Sequence, residues 1–156
     1  QSALRAAAPR DDSAAIPTPL DADDDCPAEL APTLEQWARE AAGEIPCAVV
    51  MANREYEAWF LASIEALRGR AGIPPEAASH PNPEAPRDAK GELERRMPGG
   101  ASYSATVDQA PLTAHLDLQS AYRRCRSFRK LVSAFGALAA NAGVAPAVWP
   151  PAAWVS

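Results

Sequence analysis

Pro46-Cys47-Ala48-Val49-Val50-Met51-Ala52 is a short, unbroken apolar run closed by Asn53. A strand with one wet face alternates polar and apolar positions; a run with no polar position suits a strand covered on both faces, as in a parallel sheet. Directly after it, Tyr56, Trp59, Phe60, Ser63, Ile64 and Leu67 recur at helical spacing, with Asn53 as a cap and Gly69 as a stop. A buried strand leading into a helix with one apolar face is the building unit of an α/β domain. The expected class is therefore α/β: a small, mostly parallel sheet flanked by helices and followed by a helical C-terminal part.

Upstream of this run, Ile16-Pro17-Thr18-Pro19-Leu20 reads as extended chain, although its two prolines remove amide donors that a central strand would use. Pro27 can open a short helical turn behind Asp25 or Cys26. Pro32 can restart a helix whose apolar positions are Leu34, Trp37, Ala38 and Ala41 and whose stop is Gly43. Residues 1–15 are alanine-rich and read as the end of a helix, so the chain is expected to begin in mid-domain.

Downstream, residues 70–86 hold five prolines and read as a long irregular connection, of the kind that is usually functional or mobile. A short charged helix is expected from Arg87 to Met97, broken by Pro98-Gly99-Gly100. Two further helical pieces follow, Asp108 to Leu116 and Leu118 to Ala140, capped by Asp108 and Asp117 and with a restart at Ser127. In the last piece Tyr122, Cys125, Phe128, Leu131, Val132, Phe135 and Leu138 form the core-facing stripe.

A chain of 156 residues that is 47% hydrophobic can build one real core, but sixteen prolines against eight glycines imply much loop. We expect one domain over residues 1–140 and an irregular Pro- and Trp-containing tail over 141–156. Charge is unevenly spread. Residues 1–44 carry ten acids and three bases, residues 45–116 nine and seven, and residues 117–156 one and five. That distribution excludes a uniformly basic nucleic-acid binder and leaves room for an acidic metal end facing a basic phosphate-binding end. The three cysteines, Cys26, Cys47 and Cys125, lack zinc or disulfide spacing. No stretch reaches the length of a membrane span and the N-terminus lacks a signal core, so a soluble cytoplasmic protein is expected.

The densest chemistry lies in Asp21-Ala22-Asp23-Asp24-Asp25, four aspartates in five residues. Such charges repel unless solvent, counterions or a divalent cation screens them. An EF-hand loop starting at Asp21 would need Gly at its sixth position and Glu at its twelfth, where Cys26 and Pro32 stand. A D-x-D pair at a strand end differs, because Asp21 and Asp23 project to the same side and can share one or two metals, a geometry suited to phosphoryl transfer. The alternative is a solvated acidic turn that caps the next helix. In Arg54-Glu55-Tyr56-Glu57, just past the buried run, Glu55 or Glu57 can meet these aspartates if the two strands are neighbours. Both glutamates could equally sit in a first helical turn for the sake of its dipole, a reading that fits Glu57 better than Glu55.

Several ordered motifs, Leu20-Asp21-Ala22-Asp23-Asp24-Asp25-Cys26-Pro27, Val49 to Phe60, Asp88-Ala89-Lys90, Asp108-Gln109, Leu116-Asp117-Leu118 and Ser127-Phe128-Arg129-Lys130-Leu131, resemble a bacterial family of uncharacterised proteins. Its members are often encoded near AAA or OLD-type ATPases and look like single-domain relatives of the OLD/Toprim (topoisomerase-primase) nucleases. The resemblance covers about residues 14–140. It implies Mg²⁺ or Mn²⁺ as cofactor, cleavage of DNA or RNA phosphodiesters, an AAA or OLD-type ATPase partner and a role in phage defence. By the same resemblance Asp21 and Asp23 match the Toprim D-x-D, Glu55 matches the further acid, and Asp25 extends the metal set. The Toprim strand with its Glu-Gly-x-Gly-Glu-like segment has no counterpart before Asp11, so a truncated Toprim-like module is expected.

Arg123, Arg124, Arg126, Arg129 and Lys130 place five cations in eight residues. Arg124, Arg126, Arg129 and Lys130, together with Lys90, are the candidates for contacting phosphates; a solvated basic surface is the plainer reading. His80 and His115 have no ligand spacing, and no Ser/His/Asp set, phosphate-cradling glycine loop or HExxH occurs. Against the metal-dependent nuclease stands a non-catalytic protein-interaction module whose acids and arginines only mediate contacts.

Overall fold

The computed structural model describes residues 15–99, 101–144 and 148–156. The helix end expected within residues 1–14 lies outside them. Two strands, β1 (Ile16–Asp21) and β2 (Cys47–Ala52), pair in parallel, Ile16 opposite Cys47 and Asp21 opposite Ala52. Helix α1 (Pro27–Ala42) makes the crossover between them. In β2, Val49, Val50, Met51 and Ala52 are all buried, so both faces of the strand are covered as the apolar run implied.

The prolines of β1 do not prevent pairing, and the ladder shows why. The Ile16 N–H donates to the Pro46 carbonyl (2.8 Å) and the Ala22 N–H to the Ala52 carbonyl (3.2 Å). In a parallel ladder alternate residues of a strand donate to the same neighbour, so the even-numbered residues face β2. Pro17 and Pro19 then turn their donor-less nitrogens to the outer edge, where edge strands tolerate proline.

A second difference concerns α1. Pro27 stands in its first turn as expected, but the helix continues through Pro32 as one 16-residue element instead of restarting there. One intrahelical hydrogen bond is lost at Pro32, close to the N-terminus, where the ladder of bonds has only begun.

Behind β2 the chain does not become helical at Asn53. Helix α2 spans Glu57–Ala62, every residue of it buried, and passes through Ser63 into a 3-10 turn at Ile64–Leu67. Asn53 instead donates its side-chain amide to the Glu84 carbonyl (3.3 Å). Phe60, Leu61, Ile64 and Leu67 are fully buried together with Ile73, Leu93 and Leu112. Each such side chain contributes roughly 1.5–3 kcal/mol relative to exposure. Trp59 joins a second cluster with Ala52, Phe128 and Val132, and its indole N–H donates to the Ser127 hydroxyl at 2.9 Å.

The expected charged helix is short: α3 covers Ala89–Glu94, capped by Asp88, whose carboxylate accepts the Gly91 N–H. Helix α4 (Ala105–Thr113) begins three residues before the expected cap Asp108, which instead accepts the Ser104 N–H at 2.8 Å from within the helix. Asp117 caps α5 (Leu118–Arg124) as expected, accepting from Gln119 and Ser120. The break in the last helical stretch falls at Cys125, and α6 (Arg126–Asn141) follows. Beyond it, the tail contains a short helix, α7 (Ala152–Val155), where an irregular course was expected. It is tied to α5 and α6: Arg123 donates to the Ala153 and Ser156 carbonyls and the Trp149 indole to the Val132 carbonyl (2.7 Å). Among the described residues no helix is long and apolar enough to cross a membrane.

Candidate functional site

Asp21 is the last residue of β1, so parallel pairing sets it beside the segment that leaves the carboxyl end of β2. Backbone bonds zip the two exits together. The Ala22 N–H meets the Ala52 carbonyl, the Asp23 N–H meets the Arg54 carbonyl at 2.8 Å, and the Tyr56 N–H donates to Asp21 Oδ1 at 2.7 Å. Asp23 and Arg54 both take positive φ, 48° and 66°, so each chain turns sharply as it leaves its strand. Ligand sites of open α/β sheets lie at this carboxyl edge.

Four carboxylates bear on one another here. Partial burial pushes the Asp21 carboxyl above the usual carboxylate range; the Tyr56 N–H opposes this, and the nearby charges of Glu57, Asp23 and Glu55 add to it. Glu57 is only 5% exposed, although it opens α2 with no ion pair among the described residues. The Tyr103 hydroxyl is buried without a hydrogen-bond partner, and its pKa is raised by burial and by the nearby Glu57 carboxylate. Among the described residues this hydroxyl is the one buried side-chain polar atom without a partner, and the Glu57 carboxylate is the acid nearest to supply one.

The remaining acids of the cluster have other duties. Asp24 pairs with Arg87 (2.5 Å) and Arg54 (3.1 Å), and the Arg87 guanidinium holds its carboxyl below the usual range. Glu55 accepts the Lys90 N–H at 2.8 Å through Oε2, in the first turn of α3. Asp25 is exposed and its N–H closes a turn on the Ala22 carbonyl. The structure thus brings Asp21, Asp23 and Glu55 together and adds Glu57, whereas Asp24 is consumed by arginines.

The donor chemistry suits a hard divalent cation, since every group is a carboxylate. Among the described residues, however, no three side chains are placed to hold one ion in common.

The cations are sorted by their contacts. Arg124 donates to the Ala62 (3.2 Å) and His80 (2.7 Å) carbonyls, and Arg129 to the Tyr122 and Arg123 carbonyls, both at 3.1 Å. These two act as internal clasps. Among the described residues, the side chains of Lys90, Arg126 and Lys130 make no hydrogen bond or ion pair. Arg126 and Lys130 stand one helical turn apart on α6, at a cleft of about 290 Å³.

One acid escaped the sequence reading and another lies deeper than it allowed. Glu57 was a candidate to meet the aspartates, with a first-turn surface place as the alternative, and the depth of α2 in the core buries it. Glu84, in the proline-rich connection, accepts the Arg126 and Ser127 N–H groups, both at 2.8 Å, and the Ser127 hydroxyl. It caps α6 from 42 residues upstream, a service that no local pattern announces.

A model of the family described as Domain of unknown function (DUF4276) matches residues 1–135. The chain belongs to the DUF4276 family. The match spans both strands, the acidic cluster and most of α6, so the site described above lies within the DUF4276 domain. No curated protein and no solved structure gives a significant match.

Proposed function

We propose that this DUF4276 domain is a Mg²⁺- or Mn²⁺-dependent, Toprim-like, nuclease-related module that acts on nucleic-acid phosphodiesters with an AAA or OLD-type ATPase partner in phage defence. The observation that carries the reading is Asp21. A backbone N–H clamps it at a strand end, and the charges of Glu57, Asp23 and Glu55 bear on it, none of them in an ion pair among the described residues. Asp21 and Asp23 would hold the cation, with Glu55 or Glu57 orienting its waters. A bound divalent ion supplies an activated water and neutralises charge on the scissile phosphate. The Tyr56 N–H leaves Asp21 Oδ2 for the ion by engaging Oδ1 alone.

Calorimetric titration with Mn²⁺ and nicking of supercoiled plasmid, each repeated with Asp21→Asn and Asp23→Asn, test this. Metal binding and nicking that both vanish in the variants are the expected result. Metal binding without nicking would replace the nuclease with a non-catalytic interaction module, for which the ion pairs of Asp24 already offer a model. No metal binding would refute both the cofactor and the reaction.

A further inference from the structure

Beside the acids lies a surface of opposite sign whose contents were not set apart by the run of five cations. The cleft of about 290 Å³ is bounded by Ala28 in the first turn of α1, by Met51 and Asn53 at the exit of β2, and by Glu84, Arg126 and Lys130 at the start of α6. Both cations are exposed, and among the described residues neither meets an acid. The three neighbouring arginines are engaged elsewhere: Arg123 on the tail, Arg124 on the proline-rich connection, Arg129 on α5. Glu84 is the one acid on the cleft wall, and its two oxygens are taken up by the Arg126 and Ser127 N–H groups and the Ser127 hydroxyl. Its charge is thus offset by the positive end of α6. At the opposite wall the Ala28 N–H, in the first turn of a 16-residue helix, has no acceptor among the described residues. Two cations without an ion pair among the described residues and an open helix start thus face a cleft of about 290 Å³, the chemistry that attracts a phosphate.

We infer that this cleft binds a backbone phosphate of a single nucleic-acid strand through Arg126 and Lys130. The location decides for a strand over a free anion. Asn53 on the cleft wall is separated from Tyr56, which holds Asp21, by two residues, so a strand seated at Arg126 and Lys130 passes the acidic end of the sheet. This deepens the nuclease reading and rests on it for the choice of polymer, but the contacts themselves need no metal.

The test measures binding of a short fluorescein-labelled single-stranded DNA by fluorescence anisotropy, in EDTA, across a salt series. Each phosphate contact contributes about 0.7 to the slope of log K against log salt on single strands, so Arg126→Gln with Lys130→Gln should lower the slope by roughly 1.4 and each single variant by about half of that. Arg70→Gln, whose guanidinium reaches only the Ala66 and Arg68 carbonyls, should leave it unchanged. An unchanged slope in the double variant at an unchanged melting temperature overturns the proposal, as does an equal loss in Arg70→Gln or the absence of DNA binding in the unsubstituted protein. Inorganic phosphate binding that depends on Arg126 and Lys130, without any DNA binding, would reassign the cleft to a free anion. Asp21→Asn should bind the oligonucleotide normally in EDTA, so loss of metal binding and nicking leaves this result independent.

Discussion

Replacing Asp21 by asparagine should make the metal-free protein more stable, not less. Asparagine retains the Oδ1 acceptor for the Tyr56 N–H and removes a charge that partial burial and the neighbouring Glu57, Asp23 and Glu55 all oppose. Because Asp21 still reaches solvent, the relief is discounted to the scale of an exposed charge pair, roughly 0.5–1 kcal/mol. For a protein of this length that raises Tm by about 1–4 °C. The pH dependence follows from the direction of the shift. With the folded-state pKa above the unfolded one, the native state holds the proton more tightly, and stability falls as pH rises from the ordinary carboxylate range through the raised pKa. The difference between the two proteins is therefore absent in acid and complete at neutral pH. Saturating Mn²⁺ or Mg²⁺ should reverse the order: a ligand at about one hundred times its Kd adds roughly 2.7 kcal/mol to a state that binds it, and only the aspartate protein binds. Thermal melts in EDTA and in cation, from pH 3 to 8, read all of this. The reasoning is refuted if Asp21→Asn is the less stable protein in EDTA at neutral pH, or if cation raises both melting temperatures equally.

Three further outcomes are expected. Glu84→Ala removes the acceptor for two first-turn N–H groups of α6 and should cost about 1–2 kcal/mol, read as a lower midpoint in a urea melt followed by circular dichroism; an unchanged midpoint would show the cap to be idle. Gly136→Ala drives a Cβ into Trp149 Cδ1, so the indole must leave its bond to the Val132 carbonyl; a red-shifted tryptophan emission and a loss of roughly 1–3 kcal/mol are expected, and an unaltered spectrum would contradict the packing of the tail on α6. Burial, reinforced by Glu84, pushes the Cys125 thiol up to about 12, whereas Cys26 is exposed. Iodoacetamide at pH 8 should therefore label Cys26 in the native protein and Cys125 only in urea, as peptide mass spectrometry would show; native labelling of Cys125 would place that thiol at the surface.

Elements with a local cause were legible in the sequence, and those with a distant cause were not. The run ending at Ala52 announced a buried parallel strand because nothing polar interrupts it, and Asp117 announced α5 because its carboxylate needs only the next turn. Asn53 has the chemistry of a cap and was read as one, yet its amide finds Glu84 across the fold and the helix waits until Glu57. Pro32 has the chemistry of a break, yet packing on β2 carries α1 through it. At the site, the D-x-D reading set Asp21 and Asp23 on one side of an extended chain, whereas β1 ends at Asp21 and Asp23 turns away at a φ of 48°; Glu57 and Glu55 do bear on Asp21, as the pairing of the two strands allows. Which glutamate lies deeper could not be read, since the sequence lets either sit in a first turn, whereas α2 begins only at Glu57 and buries it. The basic segment shows the same limit: five similar cations divide into clasps and free charges according to carbonyls up to 62 residues away.

Pro17 and Pro19 also have a bearing on how reliably the acids are positioned. Residues of one parity in β1 alone can present N–H groups to β2, since the other parity is interrupted by two prolines. A pairing displaced by one position would forfeit two rungs of a six-residue ladder and carry Asp21 to the opposite face of the sheet. Displacements by an odd number are thereby penalised before any side chain packs. The prolines act as a proofreading device for folding, selecting the alignments in which the carboxylate of Asp21 emerges on the side where the Tyr56 N–H awaits it.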